Sequence, residues 1–215
     1  MKIGILWDLD GTLLDTLDDL ADSVNYALNC HGYPMRTVDE VRRFVGNGAW
    51  HLICRAVPEE ADPTPVYDTY QAYYKAHSQV KTRPYEGILL VLEELKERYP
   101  LAIVSNKPDS AVKPLCREYF PGLYALGEAS DCPRKPAPDM VFKAMADLGV
   151  EKCIYVGDSE VDVLTAKNAG MPCLSVLWGF RDRPEIEKNG GTHFCDCVAD
   201  LPRMLETMIR DLTVI

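Results

Sequence analysis

Two aspartates one residue apart, Asp8 and Asp10, open the run Asp8-Leu9-Asp10-Gly11-Thr12-Leu13 at the end of an apolar stretch, residues 2 to 8. Three later runs also end in reactive or charged side chains: Ser105-Asn106-Lys107, Arg134-Lys135-Pro136-Ala137-Pro138-Asp139 and Gly157-Asp158-Ser159-Glu160-Val161-Asp162. Together they supply a hydroxyl, a cation and several carboxylates, the groups from which nucleophilic, acid–base and anion-binding sites are built. Taken singly each has a plain structural role: Asp and Gly favour turns, Ser105 suits a helix N-cap, and Lys135 suits a solvated loop. Their joint occurrence near one predicted sheet edge is what those separate roles leave unexplained.

The elements that must position these residues follow from the pattern around them. Residues 2–8, 101–106, 153–158 and 173–179 are short apolar runs closed by small or polar residues, as buried parallel strands are. Helical periodicity fills the intervals 88–97, 138–148 and 161–169, so strands alternate with helices. That alternation predicts an α/β fold, a doubly wound parallel sheet built from right-handed βαβ units. In such sheets ligands bind outside the carboxyl ends of the strands, where all four motifs fall.

Residues 16 to 82 break the rhythm and hold no comparable β run. Leu17, Leu20, Val24 and Ala27-Leu28 recur at helical spacing after Thr16-Leu17-Asp18-Asp19, which resembles a capping box. Gly32 and Pro34 end that helix, and further helices are expected over 38–44, 49–56 and 66–77. The expected organisation is an α/β core of residues 1–15 and 83–215 with an all-helical cap, residues 16–82, inserted after the first strand.

Composition narrows the classes. A chain of 215 residues, about half apolar, can bury a substantial core. The eight cysteines are scattered, form no Cys-x-x-Cys pair, and accompany four dispersed histidines (His31, His51, His77, His193), which argues for reduced thiols and against a zinc site. A formal charge of −10 opposes binding to nucleic acid. Asp8 interrupts the N-terminal apolar run before it can act as a signal sequence, and no run approaches a membrane span, so a cytoplasmic location without a membrane partner is expected. Nothing in the chain specifies an oligomeric state.

The four motifs, in this order and spacing, resemble those of the haloacid dehalogenase-like (HAD) hydrolase superfamily over nearly the whole chain. Within it the chain is similar to the phosphoglycolate phosphatase-like group, through Asp8-Leu-Asp-Gly-Thr-Leu, Val45-Gly46-Asn47-Gly48, Ser105-Asn106-Lys107-Pro108, Lys135-Pro136-Ala137-Pro138, Val156-Gly157-Asp158-Ser159 and Trp178-Gly179-Phe180-Arg181. The resemblance implies a phosphatase for a small phosphate ester, 2-phosphoglycolate above all, acting through a phosphoryl group on Asp8. Mg²⁺ would be the cofactor, held by Asp8, the Asp10 backbone carbonyl and Asp158, with Asp162 organising the carboxylates. Lys135 and the hydroxyl of Thr12 or Ser105, with Asn106 beside them, would hold the phosphoryl oxygens.

Asp10 would protonate the leaving oxygen and then activate water, a role that dehalogenases and ion-pumping ATPases of the superfamily do not give this position. In the cap, Gly46, Asn47 and Gly48 with Arg42 or Arg43 would present N–H groups and a cation to a carboxylated substrate. Pyrophosphate, a sugar phosphate or a nucleotide are the alternative substrates, a phosphomutase is an alternative reaction, and a non-catalytic phosphate-binding regulatory module is the alternative class.

Overall fold

In the computed structural model, which describes residues 2–130 and 132–214, the chain divides into two compact units. One holds the residues up to Leu14 and those from Pro84 onward; the other is Asp15–Arg83.

The first unit is organised by β1 (Ile3–Trp7), all five of whose residues are buried. Ile3, Ile5 and Trp7 join one apolar cluster and Leu6 joins another, as the two-residue period of a strand requires when both faces are covered. After β2 (Leu14–Asp15) come the four helices of the other unit, α1 (Leu17–Cys30), α2 (Val38–Phe44), α3 (Gly48–Ala56) and α4 (Thr64–His77). Strand β3 (Arg83–Pro84) pairs with β2 in a separate two-stranded sheet where the chain passes between units.

The first unit then continues through α5 (Ile88–Lys96), β4 (Leu101–Pro108), α6 (Asp109–Tyr119), β5 (Tyr124–Glu128), α7 (Asp139–Leu148), β6 (Lys152–Gly157), α8 (Glu160–Asn168), β7 (Cys173–Val176), α9 (Arg183–Lys188), β8 (His193–Cys195) and α10 (Leu201–Val214). Six strands form one parallel sheet in the order β5-β4-β1-β6-β7-β8. The chain winds from β1 to β4 and β5, then crosses back over β1 to β6, so strand order reverses beside β1. In open α/β sheets such a reversal marks where ligands bind, here the carboxyl ends of β4, β1 and β6. The expected doubly wound α/β sheet is present; β5 and β8, at its two edges, add to the four expected strands.

The helical unit packs around α1, whose Leu20, Val24, Ala27 and Leu28 are buried with Val41, Leu52, Ile53, Val66 and Tyr70 of the other three helices. Helix α2 coincides with the expected 38–44, and α3 and α4 begin one and two residues earlier than expected. The capping box expected at Thr16 is absent: the Thr16 side chain makes no cap hydrogen bond. The Asp19 carboxylate instead accepts the backbone N–H groups of Val80, Lys81 and Thr82 at 2.8–3.1 Å. A genuine capping box starts α2, where Thr37 and Glu40 bond reciprocally. Among the described residues no helix is long and apolar enough to cross a membrane.

Candidate active site

Asp8 directly follows β1, and its N–H donates to the Val156 carbonyl at 2.8 Å, so sheet pairing still fixes the backbone there. The chain then reverses: the Leu9 carbonyl accepts the N–H groups of Thr12, Leu13 and Leu14, and Gly11, at φ 84°, donates to the Leu14 carbonyl. Gly11 is required twice over. Its backbone is left-handed, and a Cβ there would lie 2.4 Å from Asp158 Oδ2.

Asp158 follows β6, neighbour of β1. It accepts the Thr12 hydroxyl on Oδ1 at 3.1 Å and the Phe180 N–H on Oδ2 at 2.7 Å. The close approach of the loop after β7 again needs glycine, since a Cβ on Gly179 would fall 2.3 Å from the Asp158 Cβ. Asp162, in the first turn of α8, accepts both the N–H and the hydroxyl of Ser159 on Oδ2, at 3.1 and 2.7 Å, leaving Oδ1 for Lys135.

Lys135 comes from the loop ahead of α7 and is 2% exposed. Its ammonium lies 2.8 Å from Asp8 Oδ1 and 2.8 Å from Asp162 Oδ1, and it donates to the Tyr155 hydroxyl at 3.0 Å. Tyr155 in turn donates to the Val104 carbonyl. The Asn106 side chain brackets the Lys135 backbone, donating to its carbonyl at 2.9 Å and accepting its N–H at 2.7 Å. Ser105 Oγ accepts the Lys107 N–H at 3.2 Å. Lys107 reaches Asp10, with 2.8 and 3.0 Å from its ammonium to the two carboxylate oxygens.

Thus Asp8, Asp10, Thr12, Ser105, Asn106, Lys135, Asp158 and Asp162 all stand at the carboxyl edge of the sheet. The cap residues named from the sequence belong to the helical unit: Arg42 is exposed on α2, and Gly46, Asn47 and Gly48 form the turn from α2 into α3. Sequence reasoning gave no role to Lys107, Tyr155, Ser159, Gly179 or the Phe180 N–H. Tyr155 carried a signal, because a phenol inside an apolar strand must find a partner when buried.

The charges here oppose one another. Burial pushes the Asp8 carboxyl up from 3.8 to about 7, against the pull of the Lys135 ammonium and with a further push from Asp162. Burial also holds Asp158 well above the usual carboxylate range, with Asp162 and Asp8 adding to it. Burial alone would lower Lys135, but Asp162 and Asp8 outweigh it and keep the ammonium firmly charged.

Three buried carboxylates, those of Asp8, Asp158 and Asp162, bring oxygens within 4.8 Å of one another. One lysine does not neutralise three carboxylates in a desolvated site, whereas a bound cation would reverse their tendency to take up protons. The donor set, all hard oxygen, fits a metal ion of the oxygen-seeking class.

The sequence profile of the haloacid dehalogenase-like hydrolases matches residues 5–176. The chain belongs to this family. Among curated relatives of this haloacid dehalogenase-like hydrolase, the phosphoglycolate phosphatase of Agrobacterium fabrum (strain C58 / ATCC 33970) is 33% identical, over 95% of this chain and 93% of that one. The phosphoglycolate phosphatase of Rhodobacter capsulatus is 35% identical over 86% and 88%. A crystal structure from Lactobacillus delbrueckii subsp. bulgaricus ATCC BAA-365 superposes with a TM-score of 0.88 at 37% identity, covering 92% of this chain and 95% of that one. The edge described above thus lies on the core of a haloacid dehalogenase-like hydrolase.

Proposed function

We propose that this hydrolase is a Mg²⁺-dependent phosphatase that cleaves 2-phosphoglycolate through a phosphoryl group carried on Asp8. The observation that carries the mechanism is the pairing of Asp8 with Lys135 at 2.8 Å beside a second carboxylate, Asp10, held separately by Lys107. A site with a buried nucleophile, a fixed cation and a spare carboxyl group has the parts for two-step displacement. The substrate is suggested by the two curated relatives, each a phosphoglycolate phosphatase.

Mg²⁺, held by Asp8, the Asp10 carbonyl and Asp158, would supply positive charge to the phosphoryl oxygens and keep Asp8 ionised. Asp8 attacks phosphorus, forming a P–O bond as the bond to the substrate's ester oxygen breaks. Protonated Asp10 gives its proton to that leaving oxygen, releasing the alcohol. The Asp10 carboxylate then takes a proton from water, whose oxygen displaces Asp8 from phosphorus, freeing phosphate and restoring both aspartates. Throughout, the Lys135 ammonium and the Ser105 hydroxyl hold phosphoryl oxygens, Asn106 fixes Lys135 from behind, and Thr12 steadies Asp158. Asp162, which accepts from Ser159 and Lys135, orients Lys135 and organises the carboxylates.

The helical unit, residues 16–82, selects the leaving group. Arg42 and the N–H groups of Gly46, Asn47 and Gly48 at the start of α3 suit the carboxylate that distinguishes 2-phosphoglycolate from neutral phosphate esters. The test is kcat/KM over 2-phosphoglycolate, pyrophosphate, sugar phosphates and nucleotides with Mg²⁺. The expected result is a preference for 2-phosphoglycolate of about 100-fold or more. Preference for another member reassigns the substrate, and no turnover of any ester leaves a binding module instead of an enzyme.

A further inference from the structure

Two buried lysines stand in this site and they divide the acids between them. Lys135 contacts Asp8 and Asp162, two of the three carboxylates whose oxygens gather within 4.8 Å. Lys107 contacts Asp10, whose carboxylate is outside that group of three. The Lys107 side chain is 4% exposed and that of Asp10 14%, so this is an enclosed pair and not a surface ion pair. Its origin is topological. Strand β4 runs parallel to β1, with Ile103 opposite Trp7, so the end of β4 lies beside the loop that follows β1. The Lys107 N–H is tied to Ser105 Oγ, which sets the direction in which the side chain leaves the strand.

A carboxylate two residues beyond Asp8, in a site rich in negative charge and suited to a cation, has an obvious alternative: to turn inward and become another metal ligand. Turned inward onto the metal, the Asp10 carboxylate would be directed at the metal-binding acids and away from a leaving group. We infer that Lys107 is a positioning residue that holds the Asp10 carboxyl away from the metal-binding acids and so keeps it available for proton transfer. The ammonium contacts both oxygens, at 2.8 and 3.0 Å, which fixes the orientation of the carboxyl group. This assignment rests on the proton-carrying role of Asp10 given above, and goes beyond it by naming the residue that makes the role possible.

The test is a double-mutant cycle on the Mg²⁺-loaded enzyme with Lys107→Met, Asp10→Asn and both together, read with p-nitrophenyl phosphate and with an alkyl phosphate. Nitrophenol leaves without help from an acid, while an alkoxide does not. Lys107→Met is expected to lower kcat for the alkyl ester about 100-fold with KM within about threefold, and to retain a nitrophenol burst followed by slow turnover. Added to Asp10→Asn it should change the rates by less than about twofold, because the group it positions is gone. Isothermal titration of Mg²⁺ should show tighter binding to Lys107→Met than to wild type, and no such gain in the double variant.

Equal losses on adding Lys107→Met to wild type and to the Asp10→Asn variant, or a raised KM with kcat preserved, would overturn the assignment and make Lys107 a substrate-binding cation. If Asp10→Asn itself slows both esters alike, the role of Asp10 has failed, and with it this assignment, but by a result visible without touching Lys107. Should Lys107→Met unfold by far-UV circular dichroism, the comparison of Asp10→Asn with the double variant, which removes both charges together, still decides. Lys107→Arg serves as the conservative control and should recover most of the alkyl-ester rate.

Discussion

At the carboxyl edge of the sheet, each charged group is held by partners from distant parts of the chain. Asp8 is held by Lys135, Asp10 by Lys107, and Asp158 by Thr12 and Phe180. In the helical unit the partnered charges are mostly exposed or half-exposed, whether the partner is near in sequence or far: Glu40 with Thr37 and Arg36, Asp62 with Thr64, and Asp22 with Lys81. Asp19, held by the backbone N–H groups of residues 80–82, is buried. The difference teaches where each kind of task can be done. Buried groups fixed from several elements are pre-organised and can stabilise a transition state without moving, whereas exposed groups can change without disturbing the fold. This contrast fits the proposed division, with chemistry in the first region and selectivity in the second.

The contrast can be broken or sharpened by substitution. The largest effect is expected from Lys135→Met, which leaves Asp8 and Asp162 buried without their cation. It should lower kcat by about a thousandfold or more and destabilise the fold by about 3–5 kcal/mol, read by steady-state kinetics and urea denaturation. Loss of activity with stability unchanged would mean that the acids do not depend on this lysine.

A smaller effect concerns pH in metal-free protein. The folded Asp8 has a pKa raised from 3.8 to about 7, so the fold favours its protonated form. The stability associated with that form is complete below about pH 4 and is lost as pH rises through about 7. Wild type in EDTA should thus lose a few kcal/mol relative to Asp8→Asn between pH 4 and pH 8, and Mg²⁺ should return most of it. Parallel pH profiles for the two proteins would show that burial does not strain Asp8.

The smallest effect is expected in the helical unit. Arg42→Ala should raise KM for 2-phosphoglycolate about tenfold, leave kcat for p-nitrophenyl phosphate within about twofold, and leave the melting temperature unchanged. A fall in kcat for both substrates would give the cap a part in the chemistry.

Much of this arrangement is legible in the sequence, and the exceptions share a cause. The strands that carry Asp8, Ser105 and Asp158 are unbroken apolar runs closed by polar residues, so periodicity alone places them. Edge strand β5 alternates buried and half-buried positions over five residues, and β8 is three residues long, so neither makes such a run. Helix α6 is interrupted by Pro114, which masks the spacing of Val112, Leu115 and Cys116. Helix α10 did carry a signal, with Leu201, Leu205, Met208 and Ile209 buried at helical spacing, but no motif drew attention to it.

Asp19 looked like part of a cap because its spacing from Thr16 is right. Its true partners, residues 80–82, are about sixty positions away, and no local rule finds them. Lys107 sits inside a recognised motif, yet its role depends on β4 lying next to β1, which only the sheet order reveals.

In the proposed mechanism Asp8 carries the phosphoryl group while Asp10 moves protons. Asp10→Asn keeps the backbone carbonyl assigned to Mg²⁺ and the acceptor oxygen near Lys107, but it cannot exchange a proton. Mixed rapidly with Mg²⁺ and p-nitrophenyl phosphate, quenched in acid and digested, this variant should release nitrophenol in a burst approaching one equivalent per enzyme. Mass spectrometry should then find the phosphoryl group on the peptide containing Asp8, at the Asp8 side chain. Slow release with no burst, and no phosphoryl group on Asp8 at any quench time, would contradict the account.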